Sequence, residues 1–183
     1  MYKKAATYFF LVLFAALALA NLIPIGDYSS GMANGLLMLL FSALFIVSFL
    51  IVIVINIYKK TRFDWIPVGI FGVFALFFTL TIQSEGGKFW TSVVLEANTD
   101  NQHNPHDGRL VLYENHSFTG TEVFTDFSMS YSGNYRINND TLYLDREDLP
   151  EKTGGLLTTK YYIDSKNRLI PADTLYKPLI IKK

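Results

Sequence analysis

The chain has 183 residues, 50% of them hydrophobic, with 16 basic residues balanced by 16 acidic ones and a mean hydropathy of +0.24. No dense basic stripe is present, so nucleic acid is excluded as an expected partner. There is no cysteine, which removes disulfide and thiol chemistry.

The apolar residues gather into three runs within a membrane region over 1–86, predicting helices over about 5–25, 35–58 and 65–82. A helix rises ~1.5 Å per residue and the hydrocarbon core is ~30 Å thick, so about 20 apolar residues make a span. The first run is followed by "NLIPIGDYSSGMANG", which holds no Lys or Arg. Ala18-Leu19-Ala20 offers a signal peptidase a small-x-small pattern, but apolar character continuing through Leu22, Ile23 and Ile25 favours a retained helix. The third run, "WIPVGIFGVFALFFTLTI", is short and uncharged, with Trp65 at the expected interface and Pro67 in the first turn.

Basic residues flanking the spans set orientation. Lys3 and Lys4 precede the first run, and Lys59, Lys60 and Arg62 fill the connection between the second and third. With these in the cytoplasm, three spans leave 87–183 outside. The expected location is a bacterial inner (cytoplasmic) membrane, N-terminus cytoplasmic and C-terminal domain periplasmic; the missing cysteines favour a bacterial envelope. The polar residues at membrane depth are Thr7, Ser42, Ser48, Asn56, Thr79 and Thr81, all able to bond within a helix or to a neighbour. No ionisable pathway crosses the bilayer, which argues against a pump, transporter or intramembrane protease.

Beyond Ser84 the pattern turns to β. "FWTSVVLEA", "RLVLYE", "SFTGTEVFTDF", "SMSYSGNYRIN", "DTLYLD", "LLTTKYYID", "RLIPA" and "KPLII" are divided by turn formers. Tyr131, Gly133, Tyr135 and Ile137 share one face of a strand, and Ser132, Asn134 and Arg136 the other. "NNDT" and "DSKNR" read as hairpin turns. The fold class expected is membrane α-helical plus an all-β C-terminal domain over 87–183, either an open antiparallel meander or a small barrel.

The succession "RLVLYENHSFTG", "YSGNYRINNDTLYL", "KYYIDSKNRLIP" resembles the lipocalin-like β-meander domains of uncharacterised bacterial envelope proteins, here behind three membrane spans. The resemblance implies architecture, and binding of small ligands, metals or partner proteins without shared catalytic residues.

"DNQHNPHDGRL" places His103 and His106 beside Asp107, with His116 a strand away, a donor set open to zinc or copper. Its Asn, Asp, Pro and Gly content equally describes a plain loop, the reading preferred here, with no cofactor expected. "DREDLPE" offers a calcium or basic-partner site, or a solvated loop. Tyr131, Tyr135 and Tyr143 are candidates for an aromatic binding face, or else fill the core. No nucleophile elbow, zinc-protease helix or phosphate loop occurs, so no enzyme is expected. The functional expectation is a non-catalytic membrane protein whose periplasmic domain binds an envelope partner or small ligand in a protective, sensory or scaffold role. The alternatives are periplasmic metal binding and an accessory structural subunit of a membrane complex.

Overall fold

Helices form where the apolar runs predict them, but their ends answer to local chemistry. The structure, a computed structural model, describes residues 2–23, 25–58, 63–84, 87–99 and 107–182, with side chains from Ala6 onward. Helix α1 (Tyr2–Ala20) stops well before Ile25. Asn21 bonds back to the Leu17 carbonyl at 2.8 Å, and Pro24 disfavours helical geometry at Ile23, so Leu22 and Ile23 do not prolong it. Strand β1 (Tyr28–Gly31) leads straight into α2 (Met32–Tyr58), and α3 (Ile66–Gln83) follows. Asp64 accepts the Ile66 N–H at 3.3 Å, and Pro67 falls where no N–H is needed.

Both α2, with 27 residues, and α3, with 18, are long and apolar enough to cross a membrane. The apolar stretch Ala6–Ala20 of α1 is shorter, below the ~20 residues of a usual span. Leu11, Ala15, Ala18, Phe45 and Phe74 are buried together, with Phe45 and Phe74 ring centroids 4.5 Å apart. Most other apolar side chains of α2, Leu39, Val47 and Leu50 among them, face outward, as in helices meant for lipid. Thr79 and Thr81 bond their own helix, to the carbonyls of Ala75 and Phe77.

The chain divides into two units, Met1–Ile23 with Met32–Phe89, and Pro24–Gly31 with Trp90–Lys183. The β unit therefore includes the connection between α1 and α2. Its strands are β1, β2 (Val93–Thr99), β3 (Asp107–Tyr113), β4 (Ser117–Val123), β5 (Phe127–Asn138), β6 (Thr141–Asp145), β7 (Lys160–Asp164), β8 (Arg168–Pro171) and β9 (Leu179–Ile181). From β2 to β9 each strand pairs antiparallel with the next, and β9 returns to β2. The result is a closed eight-stranded up-and-down barrel, the lipocalin-like alternative to an open meander. Strand β1 adds outside this circle. β5 pairs with β6 through Asn134–Asn138, while β1 pairs with Phe127–Ser130. The turns at "NNDT" and "DSKNR" use positive φ at Asn139 (51°) and Asn167 (56°).

The barrel is filled by side chains. Leu110, Leu112, Phe118, Tyr131, Tyr135, Leu142, Leu144, Tyr161, Leu169 and Leu179 form its buried cluster with Leu149 and Leu157. The last two come from the β6–β7 connection, around the short helix α4 (Leu149–Lys152). A Cβ built on Gly120 would lie 2.5 Å from Leu157 Cδ1, so the glycine is what admits the leucine. The connection is fixed there because Thr153 Oγ1 donates to the Leu149 carbonyl at 2.8 Å, Leu157 N–H donates to Thr153 Oγ1, and Tyr131 Oη donates to the Lys152 carbonyl at 2.8 Å.

Candidate functional site

The alternation of β5, β6 and β7 that sends leucine and tyrosine inward sends a row of cations and aromatics outward. Register sets Arg136 beside Tyr143 and Tyr143 beside Lys160. The Arg136 guanidinium lies 5.3 Å from the Tyr143 ring centroid, and Lys160 Nζ lies 5.4 Å from Tyr143 and 5.2 Å from Tyr162. The Lys160 amine is held above its ordinary value, first by hydrogen bonding to Tyr162 and then by electrostatic interaction with Tyr143. Arg136 also pairs with Asp145 at 3.4 Å, with 71% of its side chain exposed. Beside the row is a shallow recess of about 450 Å³ that includes Glu147 and Thr159.

The three tyrosines singled out from the sequence do not share a face. Tyr131 and Tyr135 are buried, the latter donating to the Tyr113 carbonyl at 3.0 Å, and only Tyr143 belongs to the outer row. The period-2 pattern already separates them: Tyr143 lies between Leu142 and Leu144, which take the inward positions.

A second polar cluster joins the α1–α2 connection to the barrel. Arg146 grips both carboxylate oxygens of Asp27, and also binds Asp148 Oδ1 at 2.8 Å and the Ser132 carbonyl at 2.7 Å. Lys152 Nζ reaches Asp27 at 3.1 Å and Asp148 at 3.0 Å. Arg146 Cζ also sits 5.5 Å from the Tyr131 ring centroid. The Asp27 carboxyl is held well below its ordinary value of 3.8, chiefly by the Arg146 hydrogen bonds, against a smaller opposing effect of burial. Asp148 is lowered to about 2, again first by Arg146. A depressed carboxylate contributes stability above its unfolded pKa and loses it only as pH falls through the folded one. The cluster should therefore be indifferent to pH between about 5 and about 8. Hydrogen-exchange protection of residues 28–31, corrected for intrinsic exchange, is expected to be flat across that window; a slope would assign control to another titrating group.

Near the start of β3, a cleft of about 600 Å³ is lined by Glu122, Lys152, Lys177 and Leu175 among others. Glu122 is only 7% exposed and stands at an inward position of β4, opposite Gly108. Its signal in the sequence is its parity with Phe118 and Gly120 in "SFTGTEV".

The metal-donor set is divided. His103 and His106 lie outside the described residues. Asp107 opens β3, accepting from Thr99 Oγ1 at 3.4 Å. His116 lies beyond the other end of the same strand, at φ 61°, its ring 5.9 Å from that of Tyr135. At ~3.3 Å per residue, the six steps of β3 alone separate Asp107 from its far end by roughly 20 Å, too far for His116 to share an ion with it. Among the described residues no group of three His, Cys, Asp or Glu side chains could hold a metal. "DREDLPE" supplies Leu149 to the core and Asp148 to the ion cluster. Lys59, Lys60 and Arg62 lie outside the described residues, as do the side chains of Lys3 and Lys4.

Comparison with known proteins found no matching family model, curated protein or solved structure.

Proposed function

We propose that this chain is a non-catalytic protein of the bacterial inner membrane, its helices anchoring a periplasmic barrel that binds an acidic face of another envelope protein. In this reading α1 joins α2 and α3 as a third span, the N-terminus is cytoplasmic, and Lys3, Lys4, Lys59, Lys60 and Arg62 stay on the cytoplasmic side. Strand pairing supports the two crossings of α2 and α3, whichever way they face, independently of charge. Tyr28–Gly31 precedes α2, Phe127–Ser130 follows α3, and the two segments share one sheet. Both ends of the α2–α3 hairpin must then lie on one side of any membrane that it crosses, which two crossings satisfy.

The observation that carries the binding mode is the filled barrel. Leu149 and Leu157 occupy the interior beside Gly120, so recognition passes to the outer wall. There Arg136, Tyr143, Lys160 and Tyr162 offer the residue types that anchor protein interfaces, with positive charge to complement an acidic partner.

The test compares the full chain with an Arg136→Glu/Lys160→Glu variant in nanodiscs, capturing proteins from a matched envelope extract. A specific partner is expected on the wild type and about tenfold less on the variant, with binding that weakens as salt rises. Equal recovery on both would sink the surface reading. Residue-dependent turnover of an ester, peptide or glycan panel would overturn the non-catalytic one.

A further inference from the structure

The segment joining α1 to α2 is tied to the barrel in a way the barrel itself does not require. β5 has β4 on one side along most of its length and β6 on the other along Asn134–Asn138, and these pairings close the circle. β1 covers only Phe127–Ser130, the portion of β5 beyond the reach of β6. Its four residues are Tyr-Ser-Ser-Gly, with Ser29 and Ser30 exposed, and 25–31 contributes no side chain to the barrel's buried cluster. Among the contacts that hold the segment are a short ladder and the ion pairs of Asp27 with Arg146 and Lys152.

These attachments differ in kind from the core. Side-chain exposure is 42% for Asp27, 43% for Lys152 and 46% for Asp148, against 14% for Arg146, so water and salt reach the cluster from its Asp27 and Lys152 side. The Lys152 pairs are individually weak, and every pair reached by solvent is screened as ionic strength rises, whereas apolar packing is not. The ends of the segment also suit movement as a unit. Gly26, at φ 70°, has nothing within 4 Å of a built Cβ, and α2 begins at the residue after β1.

We propose that 25–31 is a releasable strap: partly exposed ion pairs help hold it shut, and rising ionic strength opens it without opening the barrel, uncovering the β5 edge at Phe127–Ser130. The closed occupant of that edge is β1. Opening leaves main-chain N–H and C=O groups of β5 without their strand partner, the kind of edge on which extended segments add. The strap runs directly into α2, which begins at the residue after β1. The device is independent of which partner the outer row binds.

Hydrogen exchange read by mass spectrometry on the full chain in nanodiscs tests this. Peptides covering 28–31 and 127–130 are compared with peptides covering 110–112 and 142–144 as salt is raised from about 0.05 M to about 0.5 M. The strap amides are expected to exchange about tenfold faster at the higher salt, with barrel rates unchanged. Asp27→Asn should show the fast rate already at low salt and respond no further. Gly31→Val is the second variant, since a Cβ there would lie 3.0 Å from Phe127 Cβ. It should free the strap at every salt concentration and leave the barrel protected. Strap and barrel exchanging in step, a wild type insensitive to salt, or a salt response that persists in Asp27→Asn would each overturn the proposal.

Discussion

Replacing Phe118 with alanine is expected to cost the barrel about 3–5 kcal/mol, the range for deleting a buried aromatic ring. Its side chain is fully buried, and its ring runs beneath Gly133, where a built Cβ would stand 2.6 Å from Cε1 and 2.9 Å from Cζ. The glycine and the ring are therefore two halves of one fit. Gly133→Ala alone should also destabilise, by about 1–3 kcal/mol, because the methyl group needs space the ring already fills. Together the substitutions should cost less than their sum by at least about 1 kcal/mol, since the new methyl enters the space the ring has left. Unfolding of the full chain followed by near-ultraviolet circular dichroism measures all three variants. For a domain of this size each kcal/mol moves the midpoint by about 4–8 °C, so the Phe118→Ala shift should be at least about 12 °C. Strict additivity would mean that ring and glycine do not share that space.

The same packing explains what the sequence could and could not disclose. All eight strands of the barrel fall on apolar stretches bounded by turn formers, because inward positions repeat every second residue and the chain must reverse between strands. Closure was not legible. It depends on β9, three residues long, finding β2 across the whole domain, and no local pattern records that pairing. Leu149 was equally hidden. It sits in the charge run "DREDLPE", where composition says solvent, yet it enters the core while its acidic neighbour Asp148 faces the ion cluster. Leu156 to Thr159 looked like the start of a strand for the converse reason: two leucines and two threonines serve the connection that fills the barrel, and β7 begins only at Lys160.

The candidate sites divide in the same way. Cross-strand neighbours such as Arg136, Tyr143 and Lys160 become visible only when register is known, although each one's outward parity can be read locally. Asp27 carried a faint signal as the lone charge in 24–31, a connection otherwise without ionic groups. Nothing local pairs it with Arg146, which is 119 residues away. The C-terminal end of α1 was misplaced where hydropathy was read without stereochemistry: Leu22, Ile23 and Ile25 are apolar, but the helix stops at Ala20, where Asn21 bonds back to Leu17 and the sequence brings a proline at 24.

Cysteine labelling should divide the chain into two accessibility classes, and the native absence of cysteine makes each introduced thiol the only one. Ser30→Cys and Asn138→Cys are expected to react with a membrane-impermeant maleimide in intact spheroplasts, and Thr61→Cys only after the membrane is opened. Both outer positions are exposed in the β unit, so burial does not mask them. The contrast is governed by topology rather than by a few kcal/mol: a charged reagent does not cross the hydrocarbon core on the labelling timescale. Ser30 and Asn138 reacting from opposite sides would contradict the pairing of β1 with β5, because the two segments could not then share a sheet. Reaction of Thr61→Cys alone would keep that pairing and reverse the orientation, making the barrel cytoplasmic and its partner a cytosolic protein. Equal reaction of all three would mean that the α2–α3 hairpin does not cross the bilayer, and the anchor reading would fall while the barrel and its strap remained.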